Sequence, residues 1–274
     1  MQQWLQEDIP TFDYSPLLLG KEAENCATGY IVFKSLNGIL AGTNVVDALA
    51  SEVGLFTKWK CSEGCTLQNG QVIGEITGKL GDLLVVERIS LNVLTRLTGI
   101  ATKCSKLRKL AGNCGYSGVL AGTRKTTPGF MMLEKYAMTV GGFQTHRMNA
   151  SESPTIIKDN HWSAKEGLFS TLDRKSLPFH NKIEVECNSL EMALEVADWG
   201  ADILMLDNFS PKDAKEATEA IKERFPRVLV EVSGGIDEEN IELYASIPNV
   251  DVISCGAVTQ KACYADFSMR ISSD

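Results

Sequence analysis

From residue 118 onward the chain alternates short apolar runs with longer segments of helical spacing, and no other feature limits the fold so tightly. The runs at 118–121, 154–157, 182–186, 202–206, 227–232 and 251–254 have the length and apolar content of buried strands. Between the later ones, 189–199, 211–225 and 237–246 keep apolar residues on one helical face, with Ser189 and Asp237 as starting signals. Such alternation implies a parallel sheet, closed or nearly closed into a barrel. The runs end in groups that packing does not explain: Arg124-Lys125, Lys158-Asp159-Asn160, Glu186, Asp207-Asn208, Ser233-Gly234-Gly235 and Gly256. Strand C-termini of a β/α barrel converge on its active site, so these residues are predicted to share one.

Within that set the positive charge is concentrated. Gly122-Thr123-Arg124-Lys125-Thr126-Thr127-Pro128-Gly129 sets two cations side by side after Val119-Leu120-Ala121 and stops them with a Pro-Gly turn. Thr145-His146-Arg147 and Ile156-Ile157-Lys158-Asp159-Asn160-His161 add further cations. Arg presents a planar fork to a carboxylate or phosphate, and Lys a compact point charge. His146 follows Gly141-Gly142, read as a mobile or tight segment that lets backbone approach a ligand. Alone, that histidine is as readily a structural hydrogen-bonding residue; beside Arg147 it is read as an anion contact. His161 is placed behind the site and His180 on the surface.

The remaining strand ends keep more than one meaning. Lys158 at the end of an apolar strand also suits a desolvated, Schiff-base lysine, as in barrel aldolases. Glu186 and Asp207 fit an acid/base pair, a divalent-metal site or acceptors for sugar hydroxyls, against the plainer reading of salt bridges to neighbouring cations. Glu184 shares the face of Glu186 by strand period. Ser233, Gly234, Gly235 and Gly256 end the last two strands, where barrel loops often cradle phosphate. Asp237 counts mildly against a bare helix-terminus site, because it could cap that helix itself.

Bulk properties narrow the ligand. A net charge of −8 over 274 residues argues against a general nucleic-acid or acidic-membrane binder, so the local cations point to a small anion. The polar, acidic start does not resemble a signal peptide and no run is long enough to span a bilayer, so a cytoplasmic location is expected. The eight cysteines read as reduced, mostly buried thiols; Cys61 and Cys65 have no second pair at zinc-ligand spacing.

The first part of the chain differs. Strands are predicted at 30–33 and 38–42, a helix at 45–55 with Val46, Leu49 and Val53 on one face, and a hairpin at Asn69-Gly70. A long helix over about 82–111 carries Ile89, Val93, Leu97, Ile100, Leu107 and Leu110, and ends at Gly112-Asn113-Cys114-Gly115. The expected division is 1–111, an N-terminal α/β sandwich domain, and 112–274, an α/β-barrel catalytic domain whose last residues return to the first.

Together these motifs resemble the quinolinate phosphoribosyltransferase family, the carboxylating nicotinate-nucleotide pyrophosphorylases. The resemblance runs from Glu87-Arg88 through Leu133-Glu134-Lys135-Tyr136 and Glu184-Val185-Glu186 to Asp251-Val252-Ile253-Ser254, and is most specific at residues 122–129 and 158–161. It implies a sandwich domain plus an incomplete α/β barrel, and a decarboxylating pentosyltransferase of NAD biosynthesis. The implied reaction converts quinolinate and phosphoribosyl pyrophosphate into nicotinate mononucleotide, pyrophosphate and CO2. The implied site has Arg124, Lys125, His146, Arg147 and Lys158 around carboxylates and phosphates. Glu186 and Asp207 would hold ribose hydroxyls and a Mg2+–pyrophosphate, and Ser233, Gly234, Gly235 and Gly256 the 5′-phosphate. Arg88 would reach in from the second subunit of a dimer with shared active sites, with a hexamer as a further assembly. The segment 148–155 is more polar than this family's pattern. Rival readings are a phosphoribosyltransferase-like protein of molybdenum transport, a Schiff-base aldolase using Lys158, and a non-catalytic anion-binding scaffold.

Overall fold

The structure, a computed structural model, describes residues 2–11, 13–149, 152–165, 167–172, 174–176 and 178–272. Ala150 and Ser151, in the polar segment 148–155, lie outside the described residues. In chain order the elements begin with α1 (Gln2–Asp8), α2 (Ser15–Leu19), β1 (Cys26–Phe33), β2 (Asn37–Ile39), α3 (Thr43–Glu52), β3 (Phe56–Trp59), β4 (Thr66–Gln68), β5 (Val72–Lys79) and α4 (Leu80–Asn113). Next come β6 (Val119–Ala121), α5 (Met131–Val140), β7 (Thr155–Ile157), α6 (Asp159–Ala164), α7 (Leu168–Thr171), β8 (Ile183–Cys187) and α8 (Leu190–Trp199). The chain ends with β9 (Ile203–Asp207), α9 (Pro211–Arg224), β10 (Leu229–Ser233), α10 (Ile241–Ala245), β11 (Val252–Ser254), α11 (Ala257–Gln260) and β12 (Phe267–Ser272).

Two compact units emerge. One comprises Met1–Ser105, Phe130–Gly141 and Ala262–Asp274, and the other Lys106–Gly129 and Gly142–Lys261. The sequence division at 111/112 therefore differs from the compact one, which falls within α4 and assigns α5 to the first unit. The reason is local: buried Glu134 on α5 accepts two hydrogen bonds from Arg96 of α4, at 2.9 and 2.7 Å. The C-terminal strand β12 pairs antiparallel with β1, from Thr28↔Ser272 to Phe33↔Phe267.

The first unit holds an antiparallel sheet in the order β12-β1-β5-β3. Apolar residues of its strands, with Leu49 of α3 and Leu83, Val86 and Leu94 of α4, form one buried core. The Asn69-Gly70 turn exists, with Gly70 at φ 79° and Gln71 N–H bonded to the Gln68 carbonyl at 3.1 Å. It does not make the expected hairpin. Strand β4 pairs with β2 while β5 pairs with β1 and β3, so the turn passes the chain from one sheet to another. A turn signal specifies the local reversal but not which ladder each arm joins.

In the second unit the six strands fall on the six predicted runs and form a parallel sheet ordered β6-β11-β10-β9-β8-β7. Read cyclically, that is chain order with one pair absent, β6 to β7. At that seam Gln144 makes a single parallel bridge to Ala121, its N–H bonding the Leu120 carbonyl at 2.8 Å. The sheet is an incomplete barrel. Alternation sorts its residues: Ile183, Val185, Cys187, Leu204, Leu206, Val230 and Val232 are buried, and Glu184, Glu186, Met205, Asp207, Glu231 and Ser233 occupy the opposite face. Helices α8 and α9 start at Ser189 and Ser210, whose hydroxyls accept the Met192 and Asp213 N–H groups at 3.2 Å. The expected helix at 237–246 begins only at Ile241, because residues 237–240 form a turn closed by the Asn240 side chain on the Asp237 N–H, 3.0 Å.

Candidate active site

One cavity of about 260 Å3 opens at the C-terminal ends of these strands. It is lined by Gly122, Thr123, Arg124 and Lys125 after β6, His146, Ile156 and Lys158 around β7, Met205, Asp207 and Asn208 at β9, 233–236 at β10, and Ser254, Gly256, Ala257, Gln260 and Lys261 at β11. Residues of both seam strands and of the middle of the sheet share the cavity, which requires strong curvature.

The cationic wall is held by its backbone. Lys125 N–H donates to Thr123 Oγ1 at 3.0 Å, and Thr259 Oγ1 donates to the Lys125 carbonyl at 2.6 Å. The side chains of Arg124 and Lys125 stay exposed. Lys158 is partly buried, and that desolvation lowers its pKa, with Arg124 acting in the same direction and Asp207 and Glu184 against it. Its ammonium pairs with Glu186 Oε2. Arg147 is also lowered, first by burial and then by Arg124, and its Nη1 donates to the Pro154 carbonyl at 3.1 Å. Arg124 thus sits within electrostatic reach of both.

Below the cations lies an acidic floor. Glu184 of β8 is 1% exposed and Glu231 of β10 is 3% exposed. His146 Nε2 stands 3.3 Å from Glu231 Oε1 and 3.7 Å from Glu184 Oε1, and the three ligand atoms lie within 4.8 Å of one another. Strand β9 separates β8 from β10, so in a flat sheet these carboxylates would stand roughly 10 Å apart; the barrel curvature brings them together. Burial, then Glu231, pushes the Glu184 carboxyl up to about 7. His146 has φ 56°, and its Nδ1 accepts the Arg147 N–H at 2.8 Å. Its ring therefore faces groups of this chain through both nitrogens.

The glycine end is shaped by contact rather than by charge. Asn208 Nδ2 donates to Asp207 Oδ2 at 2.6 Å, and Asn208 N–H donates to the Ser233 carbonyl at 2.9 Å. Gly234 has φ +96°, and a Cβ there would lie 2.3 Å from Asn208 Oδ1. Gly235 has φ +63° and an added Cβ would meet nothing within 4 Å.

Known proteins match over the whole of this architecture. Residues 13–98 match the family profile "Quinolinate phosphoribosyl transferase, N-terminal domain" and residues 100–270 that of its C-terminal domain. The chain belongs to the quinolinate phosphoribosyltransferase family. A nicotinate-nucleotide pyrophosphorylase (carboxylating) of Rattus norvegicus is 37% identical over 270 residues, 98% of this chain and 88% of the relative. The Homo sapiens protein of that name is 37% identical over 273 residues, 99% of this chain and 90% of the relative. Among solved structures, NadC from Streptococcus pyogenes aligns at TM-score 0.88 and 32% identity, covering 99% of this chain and 94% of that one.

Of the residues expected in a quinolinate phosphoribosyltransferase site, Arg124, Lys125, His146, Lys158, Asp207, Ser233, Gly234, Gly235 and Gly256 line the cavity. Glu186 adjoins it through Lys158. Arg147 follows His146 with a partly buried side chain. Arg88 is exposed on α4 and is not among the described lining residues. The family assignment does not favour the molybdenum-associated or aldolase readings, and in this structure Lys158 holds a carboxylate.

Other expectations need correction. Gly141 serves packing rather than ligand approach: a Cβ there would lie 2.5 Å from both the Ala101 carbonyl oxygen and Cys104 Cβ. Three cysteines are buried, Cys104, Cys187 and Cys255, and Cys26, Cys114 and Cys263 are exposed. His161 does stand behind the site, its Nδ1 accepting the Lys158 N–H at 3.1 Å, and His180 is exposed. Sequence reasoning missed Glu231, Gln260 and Lys261. Strand period two residues before Ser233 would have found Glu231; Gln260 and Lys261 follow Gly256 by one helical turn.

Proposed function

We propose that this chain transfers the phosphoribosyl group of phosphoribosyl pyrophosphate to quinolinate, releasing pyrophosphate and CO2 and forming nicotinate mononucleotide for NAD biosynthesis. The observation that carries the reading is the meeting of Arg124, Lys125, Lys158, Asp207 and the Ser233-Gly234-Gly235 loop around one cavity in a member of this family. A pyridine dicarboxylate beside a phosphorylated sugar supplies an anion for each of these groups.

In the proposed mechanism Arg124, Arg147 and Lys158 hold the quinolinate carboxylates, with His146 keeping the Arg147 backbone in place. Ser233, Gly234, Gly235 and Gly256 hold the 5′-phosphate, and Lys125 faces the leaving group. The C1–O bond breaks with its electron pair going to pyrophosphate. The pyridine nitrogen then donates its pair to C1, whose oxocarbenium-like character Glu186 and Asp207 stabilise through the ribose hydroxyls. The ring nitrogen is now cationic. The C2–carboxylate bond breaks, CO2 leaves, the electron pair remains on C2 beside that nitrogen, and a proton from solvent completes the product.

Asp207 lines the cavity and Glu186 adjoins it, a pair of oxygen donors of the kind that holds Mg2+ together with substrate phosphates. Bound there, Mg2+ would neutralise charge on the departing pyrophosphate. Arg88, exposed on α4, fits the role of a cation lent to the site of a second copy. The proposed location is cytoplasmic; separately, among the described residues no helix is long and apolar enough to cross a membrane.

The test mixes protein, quinolinate, phosphoribosyl pyrophosphate and Mg2+, and measures nicotinate mononucleotide and CO2. Absence of product, with nicotinic acid accepted instead, overturns the assignment. Shared sites are tested by mixing Arg88→Ala and Lys158→Ala proteins: recovered activity supports a dimer, and none after demonstrated subunit exchange counts against it.

A further inference from the structure

The glycine end of the cavity carries a charge problem of its own. The loop 233–236 runs directly into Asp237, Glu238 and Glu239, three carboxylates that would repel a phosphate held over Gly235. Glu238 has Lys106 at 3.8 Å. Asp237, 13% exposed at its side chain, accepts the Glu239 N–H on Oδ1 at 3.1 Å and the Lys261 ammonium on Oδ2 at 2.6 Å. Lys261 stands just after α11, whose start at Gly256 forms the other half of the phosphate end, so the pair ties the β10 loop to the β11 loop. Lys261 also lines the cavity, with a side chain 63% exposed. An ammonium has three donors, and one bond to Asp237 leaves capacity for a second oxyanion.

We propose that Lys261 is a substrate-binding residue that donates to the phosphate monoester at the glycine end of the cavity, while Asp237 holds it over that end. The inference rests on the phosphoribosyl reading and adds a residue to it. A phosphate bound there joins Asp237 as a second acceptor on the same ammonium. Gln260, whose Oε1 lies 2.9 Å from the position of a Cβ on Gly256, covers the neighbouring side and adds no charge.

The experiment measures ribose 5-phosphate binding by calorimetry, and KM for phosphoribosyl pyrophosphate, in wild type, Lys261→Met, Lys261→Arg and Asp237→Asn. A charge-assisted bond at a partly exposed site corresponds to about a tenfold effect. Lys261→Met is expected to weaken ribose 5-phosphate and raise that KM about tenfold, with kcat and the quinolinate KM within about twofold. Lys261→Arg should restore most of the loss. Asp237→Asn keeps a side-chain oxygen to hold Lys261 while removing the negative charge, and so separates direct contact from a mere loop tie: binding that is tighter, unchanged or weakened clearly less than in Lys261→Met supports direct contact, and a loss equal to that of Lys261→Met overturns it. Wild-type affinity and KM in Lys261→Met overturn it as well. If the wild type binds ribose 5-phosphate in a Lys261-dependent way yet forms no product from quinolinate, the proposed function falls and this inference stands.

Discussion

Gly234→Ala is the substitution whose cost can be worked most directly from the structure. Two independent effects act at this position. At φ +96° the backbone lies outside even the left-handed region open to some L-residues, a strain of about 1–3 kcal/mol. The new Cβ would also stand 2.3 Å from Asn208 Oδ1, 2.7 Å from its Cγ and 2.7 Å from its backbone nitrogen. The backbone nitrogen cannot swing away as a side chain can, because its N–H is bonded to Ser233, so overpacking adds about 1–3 kcal/mol. The sum, about 2–6 kcal/mol, is a large share of a typical domain's stability. Gly235→Ala is the control: at φ +63° with open space around it, only the left-handed penalty of about 1–2 kcal/mol remains. Urea denaturation should give a much lower midpoint for Gly234→Ala than for Gly235→Ala. The surviving folded protein should lose kcat/KM for phosphoribosyl pyrophosphate on the order of a hundredfold, because displacing Asn208 moves Asp207 and the loop together. Equal midpoints for the two variants would refute the steric reasoning. Normal kcat/KM in folded Gly234→Ala would refute the coupling to Asp207.

Arg124→Ala removes an exposed side chain, so stability should stay within about 0.5 kcal/mol of wild type while kcat/KM falls by at least about a hundredfold; thermal melts and initial rates check both. Glu134→Ala leaves Arg96 without its buried carboxylate and should cost about 3–5 kcal/mol by urea denaturation. Glu184 has its carboxyl pushed up to about 7, chiefly by burial and then by Glu231. The folded pKa is raised, so its contribution to stability is fully present below the unfolded value near 4.5 and is lost as pH rises through about 7. Glu184→Gln, neutral throughout, should track the wild-type Tm near pH 4 and exceed it above pH 7. A Tm difference independent of pH would remove Glu184 as the titrating group.

The barrel was readable because each strand ends in residues that packing does not require. Arg124, Lys158, Asp207 and Ser233 could be assigned to one mouth once strand–helix alternation was recognised. Glu231 was not found because it sits inside an apolar run, Leu229-Val230-Glu231-Val232, where only strand period distinguishes an inward acid from an outward core residue. Lys261 escaped for a different reason: a lysine near a loop is ordinarily surface charge, and only the fold brings it to Asp237. The Asn69-Gly70 turn shows the opposite limit. Its local conformation follows from those two residues, but the partner of each arm depends on β1 and β2, more than 25 residues away in sequence.

Adjacent cations such as Arg124 and Lys125 repel one another unless anions lie near, so their setting has to supply some. In the folded chain the first of these are its own carboxylates. Lys158 is paired with Glu186, Asp207 acts on Lys158, and buried Glu184 acts on Arg147, Lys158 and Arg124. Three of the cations, Arg124, Arg147 and Lys158, thus have Glu184, Glu186 or Asp207 as electrostatic neighbours, and part of the site's positive charge is offset before substrate arrives. Two carboxylates and three phosphate groups then enter, a monoester alone carrying up to about −2. A partly offset pocket does not balance that load, since Lys158 is already paired with Glu186. The shortfall is the physical case for the three proposed sources of further positive charge: Mg2+ at the pyrophosphate, Arg88 from a second copy at the quinolinate carboxylates, and Lys261 at the 5′-phosphate.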